Sequence, residues 1–136
     1  MLTEARRWIG TKFLHQGRML GVGVDCAGLA TETARALGLE TCDVCDYNRQ
    51  PDGRSLERLC DEHMDRVAPG QVQLGDVLLM RIAREPQHLA IVAAVNDGRP
   101  MAILHAYLGI GHVVEHGLDP RWRRRILRAY RMRGVA

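Results

Sequence analysis

Five short apolar runs follow Pro69, and turn residues separate each run from the next. They read DVLLMRIA, HLAIVAAV, MAILHAYL, HVVEH and ILRAYRM. Runs of this length predict β-strands, and Asn96-Asp97-Gly98, between the second run and the third, predicts a tight hairpin. Because sequential strands joined by short turns pair with one another, we expect an antiparallel sheet in the second half of the chain.

Helical patterns occupy the first half. Thr3 and Glu4 suit the start of a short helix. Residues 10–24 contain four glycines and predict a loop. The clearest helix starts after Asp25, a good N-cap residue, and stops at Gly38, because its small apolar residues recur at helical spacing between these two signals.

The middle of the chain completes the fold prediction. Residues 41–54 carry turn chemistry without periodicity and predict irregular structure. A second helix is predicted from Ser55, with an apolar face that continues to Val67. Helices followed by strands predict an α+β fold in which N-terminal helices pack on the antiparallel sheet. A length of 136 residues suits one domain that spans residues 1–136.

The composition agrees with a folded domain and indicates the cellular compartment in which the chain is made. Hydrophobic residues make up 46% of the chain and charged residues 26%, as in globular proteins. No stretch approaches the roughly 20 apolar residues of a membrane span, and the first residues lack the apolar core of a signal peptide. We therefore expect no membrane span and synthesis in the cytoplasm, where the four cysteines are expected to be free, catalytic or metal-bound.

Cys26 lies in the sequence GVGVDCAGLA, on the first turn of the clearest predicted helix. A helix N-terminus presents unpaired amides and the positive end of the helix dipole, which favour a thiolate and can also receive an oxyanion. Both effects suit a nucleophilic cysteine. The small residues Ala27 and Gly28 are expected to leave room for a substrate.

Two histidines lie on opposite arms of the predicted hairpin, as an imidazole base and its orienting partner would. A turn at Asn96-Asp97 would set His88 directly opposite His105. A turn at Asp97-Gly98 would set His105 opposite Ala90, two residues along the strand and on the same face as His88. Either register brings the two imidazoles within hydrogen-bonding reach.

The motif GVDCAGL, followed by QHLAIV and ILHAY, resembles the NlpC-type cell-wall peptidases, which are compact papain-like cysteine peptidases that cut peptide stems in peptidoglycan. Within that family, the segments WIGTKFLHQG, GVGVDCAGL, GDVLLM and VVEHGLDPRWRRRILRAYRM resemble a subgroup encoded with phage and prophage tail genes. The resemblance spans nearly the whole chain. It implies a papain-like fold and a cysteine endopeptidase that uses no cofactor.

The resemblance also implies roles for particular residues. Matched position by position, Cys26 is the nucleophile, His88 is the base and His105 is the third polar residue of a catalytic triad. The implied partners are peptidoglycan stem peptides and, for the tail subgroup, phage tail proteins, with the protein associated with a virion or tail.

Two neighbours of the nucleophile need separate interpretation. Asp25 matches the acid that precedes the nucleophile, and we assign it to helix capping and not to proton transfer. Many relatives carry a tyrosine beside the nucleophile, where this chain has Phe13. Gln16 or His15, in the same loop, could supply the missing polar group.

A zinc site is a rival interpretation. Cys42, Cys45, Cys60 and His63 have the C-x2-C and C-x2-H spacing that suits a tetrahedral zinc ion. Cys60 and His63, however, lie on the apolar face of the second predicted helix, where both residues also suit packing. We expect no metal and keep zinc as the rival.

A basic binding module and an inactive tail protein are also open as interpretations. Seven arginines lie between Arg121 and Arg133, without an acidic residue, and could bind phosphate, an anionic wall polymer or another protein. Aromatic residues make up only 4% of the chain, and Tyr130 and Met132 alternate with arginines as on a strand with one buried face. We therefore expect no nucleic-acid partner. A structural tail component with an inactive triad would keep the same fold.

Overall fold

The computed structural model describes residues 1–39, 55–82 and 85–134. Within those ranges the helices are α1 (Leu2–Arg6), α2 (Cys26–Ala36), α3 (Ser55–His63) and α4 (Pro120–Arg123). The strands are β1 (Arg18–Met19), β2 (Gly23–Val24), β3 (Met64–Val67), β4 (Val77–Ile82), β5 (Glu85–Asn96), β6 (Arg99–Ala106), β7 (Val113–Gly117) and β8 (Ile126–Met132). The segment 41–54, predicted as irregular, lies outside the described residues. No helix in the described ranges is both long and apolar enough to cross a bilayer.

Six strands form one sheet in the order β3-β8-β4-β5-β6-β7, and every neighbouring pair is antiparallel. A separate ribbon, β1-β2, lies in the predicted loop. The β5-β6 hairpin turns at Asp97 and Gly98, whose φ angles of 51° and 73° suit a two-residue turn. The predicted α+β class is confirmed, and β5, β6 and β7, which each carry a histidine, lie side by side.

Side chains cover both faces of the sheet. Leu79 of β4 and Leu89 of β5 pack against Ala34 of α2 on one face. Leu78, the neighbour of Leu79 along β4, packs instead in a cluster on the other face, with Trp122 at its border. Alternation along a strand that is buried on both sides explains why these runs read as continuously apolar. The first of these contacts holds α2, and the cysteine at its start, against β5.

The second predicted helix is shorter than its apolar pattern indicates. α3 ends at His63, and the next four residues form β3, in which Met64 pairs with Met132 and Val67 pairs with Ala129. The prediction of a helix as far as Val67 is wrong, because ladder hydrogen bonds to β8 take the place of helical ones. The apolar spacing as far as Val67 favours a helix, and the pairing with β8 overrides it over the last four residues.

The arginine-rich end of the chain forms α4 and β8. Tyr130 is fully buried and Met132 is nearly so, which confirms the predicted alternation. Arg131 donates two hydrogen bonds, of 2.8 and 2.9 Å, to the buried carboxylate of Asp76. Two further pairs are Arg128 with Glu57 and Arg133 with Asp65. Part of the basic charge is therefore neutralised by carboxylates of the same chain.

Candidate active site

Cys26 is the first residue of α2, as the helical pattern predicts. Asp25 has an extended backbone, and its carboxylate accepts a hydrogen bond of 2.8 Å from the amide of Gly28. The same carboxylate accepts hydrogen bonds from the amide of Gln16 at 2.7 Å and from the guanidinium of Arg18 at 3.0 Å. The capping role assigned to Asp25 is confirmed, and this residue also ties the preceding loop to the helix start.

Gly28 lets that loop pack closely on α2. A Cβ atom at this position would lie 2.4 Å from the carbonyl oxygen of Gly17 and 2.7 Å from Nη1 of Arg18. The expectation that Gly28 leaves room for a substrate is therefore wrong, because the loop already fills the space.

The thiol of Cys26 is not acidic in this setting. Burial, and after it the negative charge of Asp25, raises the pKa of the Cys26 thiol to about 12. Hydrogen bonds from the backbone amides of Leu89 and Ala27, and the charge of Arg18, act in the opposite direction. The expected acidification at the helix start is thus outweighed, because a buried thiolate loses its hydration. The resting thiol is protonated.

The sulfur of Cys26 lies beside the strand that carries the predicted base. Cys26 packs against the core cluster that includes Leu89, the residue that follows His88 on β5. In the part of the chain that the structure describes, no direct hydrogen bond joins this sulfur to an imidazole. Leu89 faces α2, whereas His88, its neighbour along β5, contacts Trp122 at the border of the cluster on the other face. The structure therefore brings His88 and His105 together, but it does not bring the thiol into contact with either ring.

His88 and His105 are in direct contact. Nε2 of His88 lies 2.7 Å from Nδ1 of His105, with the ring planes at 69°. The ladder pairs Ile91 with Leu104, a register that sets His105 beside Ala90. This is the second of the two predicted registers, and it joins the rings across adjacent strands as the hairpin predicts.

Both rings are shielded from water. His105 is fully buried, and His88 is 4% exposed. Burial, followed by the positive charge of Arg125, lowers the pKa of His88 to about 3. Burial, followed by the neighbouring imidazoles of His88 and His116, lowers the pKa of His105 to about 2. The rings are therefore neutral at neutral pH, which is the state in which His88 can accept a proton.

A third histidine belongs to this cluster and was not predicted from the sequence. Nε2 of His116 lies 2.8 Å from Nε2 of His105, and Nδ1 of His116 lies 2.9 Å from the carbonyl oxygen of Gly117. His105 pairs with Val114 across β6 and β7, so His116 lies two residues along on the same face. The signal was the predicted strand HVVEH, because a strand that follows β6 in an antiparallel sheet can place its own histidine beside His105.

Trp122 covers the three histidines. Asp119 caps the short helix α4 by accepting a hydrogen bond of 2.8 Å from the amide of Trp122. The indole centroid lies 5.0 Å from the ring centroid of His105, with the planes at 88°, and 5.4 Å from that of His116. The guanidinium carbon of Arg125 lies 4.4 Å from the same indole centroid. Trp122 therefore keeps water away from the contacts between the rings.

Phe13 and its neighbours form the loop that departs from the family pattern. The ring of Phe13 packs against the core cluster that contains Val24, and it supplies no hydroxyl group. His15 and Gln16 occupy a turn, and Gln16 has a positive φ of 59°. A role for either residue in place of the missing hydroxyl stays a prediction.

The predicted zinc ligands fall partly outside the described chain. Cys42 and Cys45 lie outside the described residues, so the four-residue site stays a prediction. Cys60 is 2% exposed and packs in the core with Tyr130. Burial raises the pKa of the Cys60 thiol to about 12, which suits a core thiol.

The helix start set against an antiparallel sheet defines a papain-like α+β domain. More narrowly, its fold is that of the NlpC/p60 domains. The NlpC/p60 domain of the peptidoglycan hydrolase SagA matches with a TM-score of 0.62 and 20% identity, over 96% of this chain and 94% of that domain. RipD from Mycobacterium tuberculosis, a non-catalytic NlpC/p60 domain protein adapted to peptidoglycan binding, matches with a TM-score of 0.63 and 16% identity, over 98% and 93%.

A longer protein shares the same fold. A lipoprotein-like member of the NLP/P60 family from Staphylococcus aureus matches with a TM-score of 0.70 and 17% identity. The match covers 96% of this chain but only 39% of the S. aureus chain. No protein-family model and no curated protein matches the sequence. The shared property is therefore the fold.

Proposed function

We propose that this chain is a cysteine endopeptidase that hydrolyses peptide bonds in peptidoglycan stem peptides. Cys26 is the nucleophile, His88 the base and His105 the residue that orients His88. The observation that carries the proposal is the hydrogen bond between the rings of His88 and His105, on the strand against which the start of α2 packs with Cys26. The fold shared with a domain of a peptidoglycan hydrolase supports the choice of substrate.

The first chemical step joins the sulfur to the substrate. The thiol of Cys26 gives its proton to His88 while the sulfur attacks the carbonyl carbon of the scissile peptide bond. Nε2 of His88 is engaged with His105, so Nδ1 is the nitrogen left to take this proton. Because the thiol is protonated and the ring is neutral at rest, the proton moves during the attack. Catalytic hydrogen bonds are often long before substrate binds, and here the ring and the thiol must approach each other on binding.

The remaining steps return the enzyme to its starting state. Negative charge develops on the former carbonyl oxygen, and the backbone amide of Cys26 at the start of α2 is one donor to it. Collapse of this intermediate breaks the C–N bond, and His88 gives its proton to the departing amine. Water then attacks the thioester, and His88 takes the proton of that water. Release of the new carboxyl group returns this proton to the Cys26 sulfur.

Purified sacculi incubated with the protein provide the test. We expect soluble fragments whose masses show a new amino end and a new carboxyl end in the stem peptide. Cys26→Ala should lower this release by about a thousandfold or more and leave thermal unfolding unchanged. The matched control is the double variant Cys42→Ser, Cys45→Ser, which keeps Cys26 and should remain active and sensitive to iodoacetamide. Cleavage by Cys26→Ala at the parent's rate would contradict the nucleophile assignment.

The two histidines differ in the size of their effect. His88→Ala removes the base itself, whereas His105→Ala removes only its orientation, so His88→Ala should lose more activity. Equal and negligible losses at both positions would contradict these roles.

A non-catalytic domain that binds peptidoglycan is the second candidate function. Among the described residues no hydrogen bond joins the Cys26 sulfur to an imidazole, and this geometry favours a non-catalytic role. The raised pKa of the Cys26 thiol agrees with it, because a protonated thiol is a weak nucleophile. RipD, with the same fold, has such a role. Sedimentation of the protein with sacculi, without release of peptide fragments, would identify this function.

The proposal includes a setting for the enzyme. Synthesis in the cytoplasm is followed by assembly into a phage or prophage tail, where the enzyme meets the cell wall. The support is the likeness of the loop before Cys26 and of the closing arginine-rich segment to the tail-encoded subgroup. Mass spectrometry of purified particles should detect the chain, and its absence from them would contradict this setting.

A further inference from the structure

We infer that His116 is a positioning residue of this site: acting through His105, it fixes the tautomer of His88 and leaves Nδ1 of His88 without a hydrogen. The inference deepens the proposed function and rests on it for the role of His88 as a base. The tautomers themselves follow from the hydrogen-bond geometry alone.

The three rings form one line of hydrogen bonds across neighbouring strands. Nε2 of His88 contacts Nδ1 of His105 at 2.7 Å, and Nε2 of His105 contacts Nε2 of His116 at 2.8 Å. The line ends where Nδ1 of His116 contacts the carbonyl oxygen of Gly117 at 2.9 Å. A carbonyl oxygen can only accept hydrogen bonds, so one end of the line has a fixed direction.

The fixed donor at this end determines which ring donates in each of the other hydrogen bonds. His116 must donate from Nδ1 to the carbonyl oxygen, and a neutral imidazole has one N–H, so Nε2 of His116 is an acceptor. His105 must then donate from its Nε2, which makes its Nδ1 an acceptor. His88 must in turn donate from Nε2, so its Nδ1 carries a lone pair. This is the nitrogen that takes the proton of Cys26 in the proposed mechanism.

The surroundings preserve this direction. His105 is fully buried and Trp122 packs against its ring, so water does not compete for the ring nitrogens. His116 is half-buried at the end of the line. A donor-only side chain at position 116 would reverse every bond, and Nδ1 of His88 would then carry the hydrogen. The identity of residue 116 therefore determines whether His88 can act as a base.

Nitrogen-15 NMR of the parent protein tests the inference without substrate. The expected pattern at neutral pH is an Nε2–H tautomer for His88 and for His105 and an Nδ1–H tautomer for His116. An Nδ1–H tautomer of His88 would overturn the inference. The NMR experiment requires no turnover, so it is independent of the sacculus assay. If the expected tautomers are found but the protein leaves sacculi intact, the inference is supported and only the proposed function is contradicted.

Three substitutions at position 116 provide the matched series. His116→Gln keeps an acceptor for His105 and a donor for Gly117, His116→Met keeps similar bulk without either, and His116→Lys offers only donors. The readout is the tautomer of His88 by nitrogen-15 NMR, in variants whose melting temperatures are recorded. The glutamine variant should keep the Nε2–H tautomer of His88, the methionine variant should show a mixture of the two tautomers, and the lysine variant should show the Nδ1–H tautomer. The same His88 tautomer in all three variants would overturn the inference.

Discussion

The carboxylate of Asp25 accepts a hydrogen bond of 3.0 Å from the guanidinium of Arg18, and the two side chains are only 3% and 15% exposed. Asp25 is also the residue before Cys26. Its negative charge raises the pKa of the Cys26 thiol, whereas the positive charge of Arg18 lowers it. The reactivity of the thiol therefore depends on a pair of opposite charges beside it.

Asp25→Asn should make Cys26 more reactive while it weakens the fold. Asparagine keeps an oxygen for the amide of Gly28 but removes the negative charge, so the pKa of the thiol should fall by about one unit. Arg18 then loses its ion pair with Asp25, and the melting temperature should drop. The pH dependence of alkylation at Cys26 measures the shift, with Glu32→Gln on the same helix as the control. A midpoint that stays in place or rises would contradict the charge argument.

Gly28→Ala should destabilise the protein, although alanine is the better helix former. Helix propensity alone predicts a gain of about 1 kcal/mol. The added Cβ, however, would lie 2.4 Å from the carbonyl oxygen of Gly17, and a backbone atom can yield only if the whole loop moves. We expect a net loss of about 2 kcal/mol in the free energy of unfolding, measured by urea denaturation. A stabilised variant would show that the loop does not need this close contact.

The sheet could be predicted from the sequence because its strands are short apolar runs separated by strong turn residues. The hairpin, with Asp97-Gly98 as one of two possible turns, and the start of α2 at Cys26 were predicted for the same reason, since local turn and capping chemistry determine both. The end of α3 at His63 was not predicted. It depends on the pairing of Met64 with Met132, a contact between distant parts of the chain that no local pattern reveals.

The site was predicted in part. The contact between His88 and His105 follows from the register of one hairpin, which sequence numbering can supply. To predict the contact of His116 one must know which strand lies beside β6. To predict that of Trp122 one must know where a short helix packs on the sheet. The pKa of Cys26 was predicted in the wrong direction, because the helix start is visible in the sequence but the burial that outweighs it is not.

Arg131 and Asp76 should contribute more stability than the other ion pairs of β8. Asp76 is 3% exposed and accepts two hydrogen bonds from Arg131 and one, of 2.8 Å, from the amide of Gln73. Asp76→Ala removes the acceptor of these three hydrogen bonds, leaves Arg131 only the carbonyl oxygen of Gln71 at 3.2 Å, and should cost about 2–3 kcal/mol. The control is Arg133→Met, since Arg133 and Asp65 are 43% and 68% exposed and such a pair contributes less than about 1 kcal/mol. Equal losses in urea denaturation would contradict this ranking.

The buried histidines should make the fold sensitive to acid. Burial lowers the pKa of His88 to about 3 and that of His105 to about 2, whereas in the unfolded chain both histidines titrate near the ordinary value of 6.5. As the pH falls below 6.5, the unfolded chain takes up protons that the folded chain does not, so stability is present above this pH and is lost as the pH falls toward 3. Each such histidine contributes a slope of about 1.4 kcal/mol per pH unit in that window.

Urea denaturation between about pH 7.5 and about pH 4.5 should therefore show a shallower slope for His105→Gln than for the parent. Parallel curves for the two proteins would mean that His105 is protonated in the folded state, and the buried line of neutral rings would then be wrong.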